Sequence, residues 1–494
     1  MVAGAKVGLG SSLQRLMNKA MQKIKAKCDL VPDHPVASKF VRDLKYALDQ
    51  KDSEGVNFLL QQRAHCANAI IELSNDDWMK DPSAQLDPLT FYRALVLGDL
   101  SLLKAMVSEY HEDVNLLFDI CHDEMEWQTK PLAMGVSGLW SLEYKRELTS
   151  PLCIAASHGY TDCLRYLLQH GARPNLIPGT RSPLHMACAN AHTNCAELLL
   201  EYGANPRLQT EEGMAPLHLC NTPQSFRCAK LLLKYRADVN QLTEEDQETP
   251  LHVAAKQGLH SHAHLYLRYG ATVDAMNVHW VSPLSSACAS AVELEKQKDY
   301  LQVCKLLIAY SANVNSVDNE KRSPLHKASR NASLQLVQLL LKHGADVNAI
   351  DYNGASPLAN AIQTAPFKEG LEPHRTVQTL LNHGSHRVWP AAFLKVLKCC
   401  AASPKTVEVL FNSYQQIQVT EEWKEAIPAE ILQTHQPFYE SLFASASGPR
   451  SLQHLCRFAA RKLFGNQCSA LVPRLPIPKG LHGYLLLEPE DLVY

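Results

Sequence analysis

A chain of 494 residues, 46% hydrophobic and 20% charged, has globular composition and is long enough for two to four ordinary domains or one long repeat array. Lys plus Arg (48) nearly balances Asp plus Glu (50), so a net charge of -2 gives no general field for nucleic acid or an acidic membrane, and no run of apolar residues is long enough to span a bilayer. The 15 cysteines never fall in the two-residue spacing of a zinc ribbon and no apolar signal segment opens the chain, which excludes a RING lattice and points to reduced intracellular thiols.

Residues 1–42 form a basic amphipathic N-terminal segment. Its first 28 residues carry six cations (Lys6, Arg15, Lys19, Lys23, Lys25, Lys27) and no acid, with Leu13, Leu16, Met17, Ala20, Met21 and Ile24 on one helical stripe. Packing on the first repeat, an anionic surface, a presequence or a partner would each suit it. Myristoylation would not, because Val2 stands where a glycine is needed.

From about residue 43 the chain repeats itself. Prolines at 151, 183, 216, 250, 283, 324, 357 and 390 follow one another in steps of 32, 33, 34, 33, 41, 33 and 33. A hydroxyl residue such as Ser182, Thr249 or Ser323 caps a helix whose first residue is proline, where a missing N–H costs nothing. A block of leucines gives the second helix its wide apolar face, and Gly171, Gly203, Gly270 or Gly344 ends it in a left-handed turn. One such pair cannot bury its own apolar face, whereas stacked pairs can. This pattern resembles the ankyrin repeat and implies an all-α fold, an ankyrin-repeat solenoid of about ten helix pairs over 43–418. In that register His185, His218, His252 and His326 bond across the turn and are structural, and the run His260, His262, His264 points to different sides of one helix. The sequences LLKYRADVN and LLKHGADVN also resemble ankyrin sites hydroxylated by an oxygenase, which marks Asn240 and Asn348 as candidate modification sites.

Degenerate copies lie at 44–60 and 91–115, and the unit from Pro390 keeps the step but loses the glycine, as a degenerate capping repeat does. The step of 41 places eight extra residues, around 292–300, in the loop between one repeat's helices. Residues 116–149 are too long for a repeat turn and lack the leucine block, so they are an insertion. Its Trp127 and Trp140 are candidate substrate contacts, because recognition tends to sit on loops that project from a rigid scaffold. The turn tips add Glu211, Glu212, Glu244, Glu245 and Asp246, acidic residues next to Trp280, a set suited to a basic partner segment.

Residues 419–450 contain a helix with Trp423, Ile427 and Ile431 on one side, then ASASGPR, a small-residue hinge. Residues 451–494 close the chain. Ser451 caps a helix with Leu452, Leu455, Cys456 and Ala460 at helical spacing, and a proline-punctuated segment follows, LPIPKGLHGYL, with Val472 three residues ahead of Leu475. The two halves, in this order, resemble the elongin-binding and cullin-binding parts of a SOCS box.

Array and box together resemble the ankyrin repeat and SOCS box protein family. That resemblance implies a non-catalytic substrate receptor of a cullin-RING ubiquitin ligase, working in the cytoplasm, with the nucleus a second compartment. Its implied partners are elongin B and elongin C, bound through Leu452, Leu455, Cys456 and Ala460. Cullin-5 with its RING protein would be bound through Val472, Leu475, Pro476, Ile477, Pro478, Leu481 and Tyr484, and the array would hold an unidentified protein substrate. The alternative is an ankyrin scaffold without ligase function. No cofactor or metal is expected: phosphate loop, paired metal-ligand motif and nucleophile elbow are all missing from the sequence.

Overall fold

The structure is a computed structural model that describes residues 88–109, 114–130, 139–417, 419–420 and 422–490. The N-terminal segment 1–42 and the degenerate copy at 44–60 lie outside the described residues. The chain divides into two compact units, up to Pro183 and from Leu184.

In the first unit, helices α1 (Pro88–Leu97) and α2 (Leu100–Glu109) form one pair, and α3 (Pro151–His158) and α4 (Thr161–Gln169) the next. Tyr160 Oη donates to Val96 O at 3.1 Å and ties the pairs together. Between them the insertion is an antiparallel ribbon, β1 (Phe118–Lys130) with β2 (Leu139–Thr149), bulged between Cys121 and Met125. Its base is anchored by Phe118, buried against Phe91 and Tyr92 at centroid distances of 5.9 and 5.4 Å. The expected loop is therefore a two-stranded ribbon on an otherwise helical scaffold.

The second unit contains α5 (Pro183–Ala189), whose first residue is the boundary, and α6 (Thr193–Glu201), α7 (Phe226–Lys234), α8 (Pro250–Lys256) and α9 (His260–Arg268). Next come α10 (Pro283–Ser290) and α11 (Gln297–Ala309), α12 (Pro324–Arg330) and α13 (Leu334–Lys342), α14 (Pro357–Thr364) and α15 (Pro373–Asn382), and α16 (Phe393–Cys400) and α17 (Pro404–Phe411). The first half of the unit at 215–222 is only a run of turns, because Pro223 holds Thr222 extended (φ −125°, ψ 154°) and no helix can pass through it. The surplus residues are shared between a longer loop at 291–296 before α11 and α11 itself, which has 13 residues where most second helices have nine.

The local logic is visible at the start of four first helices. Ser150, Thr249, Ser282 and Ser356 lie in extended backbone and accept from the N–H three residues on. The histidines join neighbouring units. His185 Nε2 bonds Met214 O, His218 bonds Glu248 O, His252 bonds Val281 O and His326 bonds Ala355 O, at 2.9–3.1 Å. In His218, His252 and His326, Nδ1 accepts a backbone N–H, so Nε2 is the donor and the ring is neutral. Burial lowers the pKa of these three.

Asparagines clamp the opposite edge. Asn240 Nδ2 donates to Gly270 O while its Oδ1 accepts from Thr272 N, and Asn348 does the same with Gly384 O and His386 N. Asn315 makes the same pair of bonds to Gly344 O and Asp346 N. His262 is buried edge-on to Phe226 and Tyr266, whereas His260 and His264 stack on each other at the surface, so the three do not converge.

The capping unit closes on Phe393, stacked on Trp423 at 5.0 Å and edge-on to Phe411 and Tyr414. Trp423 belongs to α18 (Glu422–Glu425), which leads into α19 (Ala429–Thr434) and α20 (Gln436–Ser447). Tyr439 of α20 is fully buried and donates to Ala401 O at 2.6 Å. ASAS therefore completes a docked helix instead of opening a hinge, and Arg450 just beyond it is buried.

Candidate functional site: a terminal helix with its apolar face outward

Ser451 caps α21 (Leu452–Phe464) by accepting from His454 N at 3.3 Å. Leu452, Leu455, Cys456, Ala459 and Leu463 recur at three- and four-residue spacing and so share one face. That face points to solvent: Leu452 is 77% exposed and Leu463 85%. The opposite face, His454 and Arg457 with Arg461 one turn on, is the one that packs on the protein.

The reason lies in what the helix is packed against. The end of the array offers carbonyl oxygens and ring faces, and only a donor-rich face can satisfy them. His454 Nε2 donates to Tyr414 O at 2.7 Å, and its Nδ1 accepts from Arg450 Nη2 and Arg457 Nη2 at 2.9 and 2.8 Å. Burial, and then the neighbouring Arg450 and Arg457 charges, push the His454 pKa down to about 4. The ring is therefore neutral at physiological pH.

Arg450 lies over the Phe411 ring at 4.6 Å and reaches Asn412 Oδ1, and Arg457 lies over Tyr484 at 4.1 Å. Arg461 donates to Asn382 Oδ1, Leu485 O and Leu381 O. Burial lowers the pKa of Arg450 and Arg461 to about 10, so both remain charged. Hydrogen bonds from charged donors stabilise by about 1.5–3 kcal/mol each, and a buried guanidinium stripped of acceptors costs several. Rolling the helix to bury its leucines would forfeit these bonds.

The proline-punctuated segment continues the same division. Val472 is fully buried and holds the turn that precedes the prolines. Leu475 is extended (φ −70°, ψ 140°) and half-buried, as is Ile477, while Pro476 and Pro478 are exposed. In α22 (Lys479–Leu485), Leu481 is exposed, whereas Tyr484 is half-buried beneath Arg457. Val472 and Tyr484 therefore shape the segment, and Leu475, Pro476, Ile477, Pro478 and Leu481 form its accessible side. Of the first-half residues, Leu452, Leu455 and Cys456 are exposed and Ala460 is half-buried.

The terminal segment rests on α15. Gln378 Nε2 and Asn382 Nδ2 both donate to Leu486 O, and Ser469 Oγ bonds His383 Nε2. Gly384, at φ 88°, sits so close that a Cβ there would lie 2.6 Å from Asn466 Cβ. A glycine is required at this contact both by conformation and by space.

The other predicted residues are separate from this site. Glu211, Glu212, Glu244, Glu245 and Asp246 are exposed on turn tips, and Trp280 is 64% exposed. Trp127 pairs with Leu142 and Trp140 with Thr129 in the ribbon register. Asn240 and Asn348 are engaged at both ends of their amides. Sequence reasoning missed Arg450 and His454 as anchors. The signal was present, because Arg450, His454, Arg457 and Arg461 recur at the same helical spacing as the leucines.

Among the described residues no group of three or more His, Cys, Asp or Glu side chains could hold a metal ion, and no helix is long and apolar enough to cross a membrane.

Comparison with known proteins matches the repeats and the terminal segment to two family models. The family model for ankyrin repeats (3 copies) matches residues 94–210, 184–277 and 288–388, and that for the SOCS box matches 448–486. The chain is 52% identical to ankyrin repeat and SOCS box protein 18 of Homo sapiens, over 94% of this chain and 99% of that one. It is 40% identical to ankyrin repeat and SOCS box protein 10 of Mus musculus, over 83% and 90%. Among solved structures, the human ASB11 ankyrin repeat domain aligns with a TM-score of 0.39 at 28% identity, covering 43% of this chain and 91% of that chain.

Proposed function

The chain belongs to the ankyrin repeat and SOCS box family, and from that membership we propose that it is the substrate-recognition subunit of an elongin B/C, cullin-5 ubiquitin ligase. The observation that carries the reading is the inverted terminal helix, with an apolar face left open while its His and Arg face is spent on docking. Leu452, Leu455 and Cys456 enter an elongin C pocket, and burying one leucine there contributes about 1.5–3 kcal/mol. The exposed Leu475, Pro476, Ile477, Pro478 and Leu481 meet the cullin. The array holds a target protein, and the ligase core works in the cytoplasm. The chain performs no bond chemistry itself: it raises the effective concentration of a target lysine near a ubiquitin-charged enzyme.

The test is co-expression with elongins B and C. Leu452→Ala with Cys456→Ala abolishes elongin co-purification and leaves the circular dichroism of the array unchanged, and retained capture by the double variant refutes the assignment. Leu475→Ala with Pro476→Ala weakens cullin-5 capture and spares the elongins. Loss of both partners in that second variant means that the box has unfolded, and cullin-5 capture at wild-type strength removes the cullin role.

A further inference from the structure

The turn tips of the second unit form a second, separate surface. Each finger is closed by a backbone bond: Thr243 N to Glu248 O, Asn277 N to Val281 O, Asp318 N to Arg322 O and Asp351 N to Ala355 O, at 3.0–3.2 Å. Neighbouring fingers are bridged by Glu244 N to Glu212 O, Val278 N to Asp246 O, Asn319 N to His279 O and Tyr352 N to Glu320 O, at 2.9–3.1 Å. These bonds fix which residues are equivalent. The residue just before each closing position is Leu242, Met276, Val317 and Ile350, exposed by 45, 40, 42 and 60%. Four successive fingers therefore each place one apolar side chain in a row along the edge of the array, while the finger before them, closed by Thr210 N to Met214 O, has Gln209 at that position.

Two further features lie beside the row. Trp280 has φ 58°, at the corner that Gly213 and Gly354 occupy with φ 72° and 73° and that Lys321 and Gln247 also hold at positive φ, but it is the only large aromatic among them. A bulky residue is strained there, and its ring is 64% exposed, so the fold gains little packing from it. At one end of the row Glu211, Glu212, Glu244, Glu245 and Asp246 are exposed, and none has an ion pair among the described residues. At the other end the charges are already matched: Arg322 meets Asp318 and Glu320, and Lys321 lies over the Tyr352 ring at 4.9 Å.

The spacing excludes an extended strand as the occupant, and the peptides below separate an α-helix from a polyproline segment of about 9.3 Å per three residues. Packed helices lie about 8–10 Å apart, which sets the distance between successive rungs. An α-helix advances about 10.5 Å in seven residues and returns to nearly the same face. A β-strand returns to one face every two residues, about 6.8 Å, and falls out of step with the row.

Resting on the reading that the array holds the target, we propose that this row receives an α-helix of the target protein. That helix has apolar side chains seven residues apart and Lys or Arg at the end that lies over Glu211–Asp246. Four rungs span three steps, so the helix is about 20 residues long.

The experiment uses the chain co-purified with elongins B and C and a fluorescein-labelled 22-residue helix-forming peptide, with leucines every seventh position and four lysines at one end. A second peptide carries the lysines at its other end. One of the two binds, and the signal falls at least tenfold with Val317→Asp or with serines replacing the leucines. Glu244→Gln, Glu245→Gln and Asp246→Asn together weaken binding about threefold or more and flatten its salt dependence. Trp280→Gly weakens binding while the thermal midpoint stays equal or rises, an outcome that misfolding does not produce.

Failure of both peptides overturns the proposal, as does wild-type affinity in Val317→Asp or tighter binding by a peptide with leucines every third residue and prolines between. Elongin capture serves as the separate readout: if the wild-type chain captures no elongin but the peptide binds, the ligase reading falls and the helix site stands.

Discussion

Helices α13 and α21 are both amphipathic, yet they face opposite ways. In α13, Leu336, Val337 and Leu340 are buried and Gln335 and Gln338 are exposed, as repeat stacking requires. In α21 the leucines are outside and His454 and Arg457 are inside. Amphipathicity shows that a helix has two faces, but the neighbouring surface decides which is buried. Against a layer of leucines the apolar face wins. Against carbonyls and aromatic rings a guanidinium face wins, and the leucines stay free for another protein.

The same substitution in the two helices breaks the comparison most directly. Leu340→Ala in α13 costs about 2–5 kcal/mol in urea unfolding, because it empties a packed site. Leu452→Ala in α21 changes unfolding by no more than about 0.5 kcal/mol, as an exposed position does. If Leu452→Ala proves as costly as Leu340→Ala, its side chain is part of the core and the outward face does not exist.

Acidity probes the inner face of α21. The folded His454 pKa of about 4 lies below the ordinary 6.5, so the unfolded state binds the proton first. Stability from this residue is complete above pH 6.5 and is lost as pH falls toward 4, by about 2 kcal/mol at pH 5. The protection factors of the α21 amides, taken against the intrinsic exchange rate at each pH, fall over that window. His454→Gln, which can still donate and accept, removes the pH dependence, and an unchanged profile in that variant places the titration elsewhere.

Gly384→Ala tests the contact beneath the terminal segment. It costs about 1–2 kcal/mol from the left-handed backbone alone and adds the collision with Asn466. Exchange should quicken around residues 465–471 before it does so in α13. The smallest effect is Ser451→Ala, about 1 kcal/mol, confined to the first turn of α21.

Much of the array was legible because its rules are local. Proline at N1, a hydroxyl cap and a left-handed glycine recur every 33 residues, and each has a single conformational meaning. The ribbon at 118–149 was missed although Trp140, Leu142 and Tyr144 alternate with Ser141, Glu143 and Lys145, a period of two. That short alternation is masked in a chain whose period of 33 is set by helices. The half-lost repeat at 215–222 looked complete by its motif, and Pro223 alone opposed it. The row from Leu242 to Ile350 could not be read from the chain, because each member is a solitary apolar residue in its own repeat. Only the bonds between fingers align them. The acidic tips were conspicuous for the opposite reason, since their charges are adjacent in sequence.

The buried arginines that fasten the terminal helix to α15 and α17 also make the molecule a gauge. With Arg461 on Asn382 and Arg450 on Asn412, the exposed leucines of α21 stand at a set number of repeats from the row on the fingers. Deleting or adding one repeat between them would change that reach by about 10 Å while leaving both surfaces intact. Under the proposed ligase function, which lysines of a target come within range is decided by counting repeats as much as by affinity.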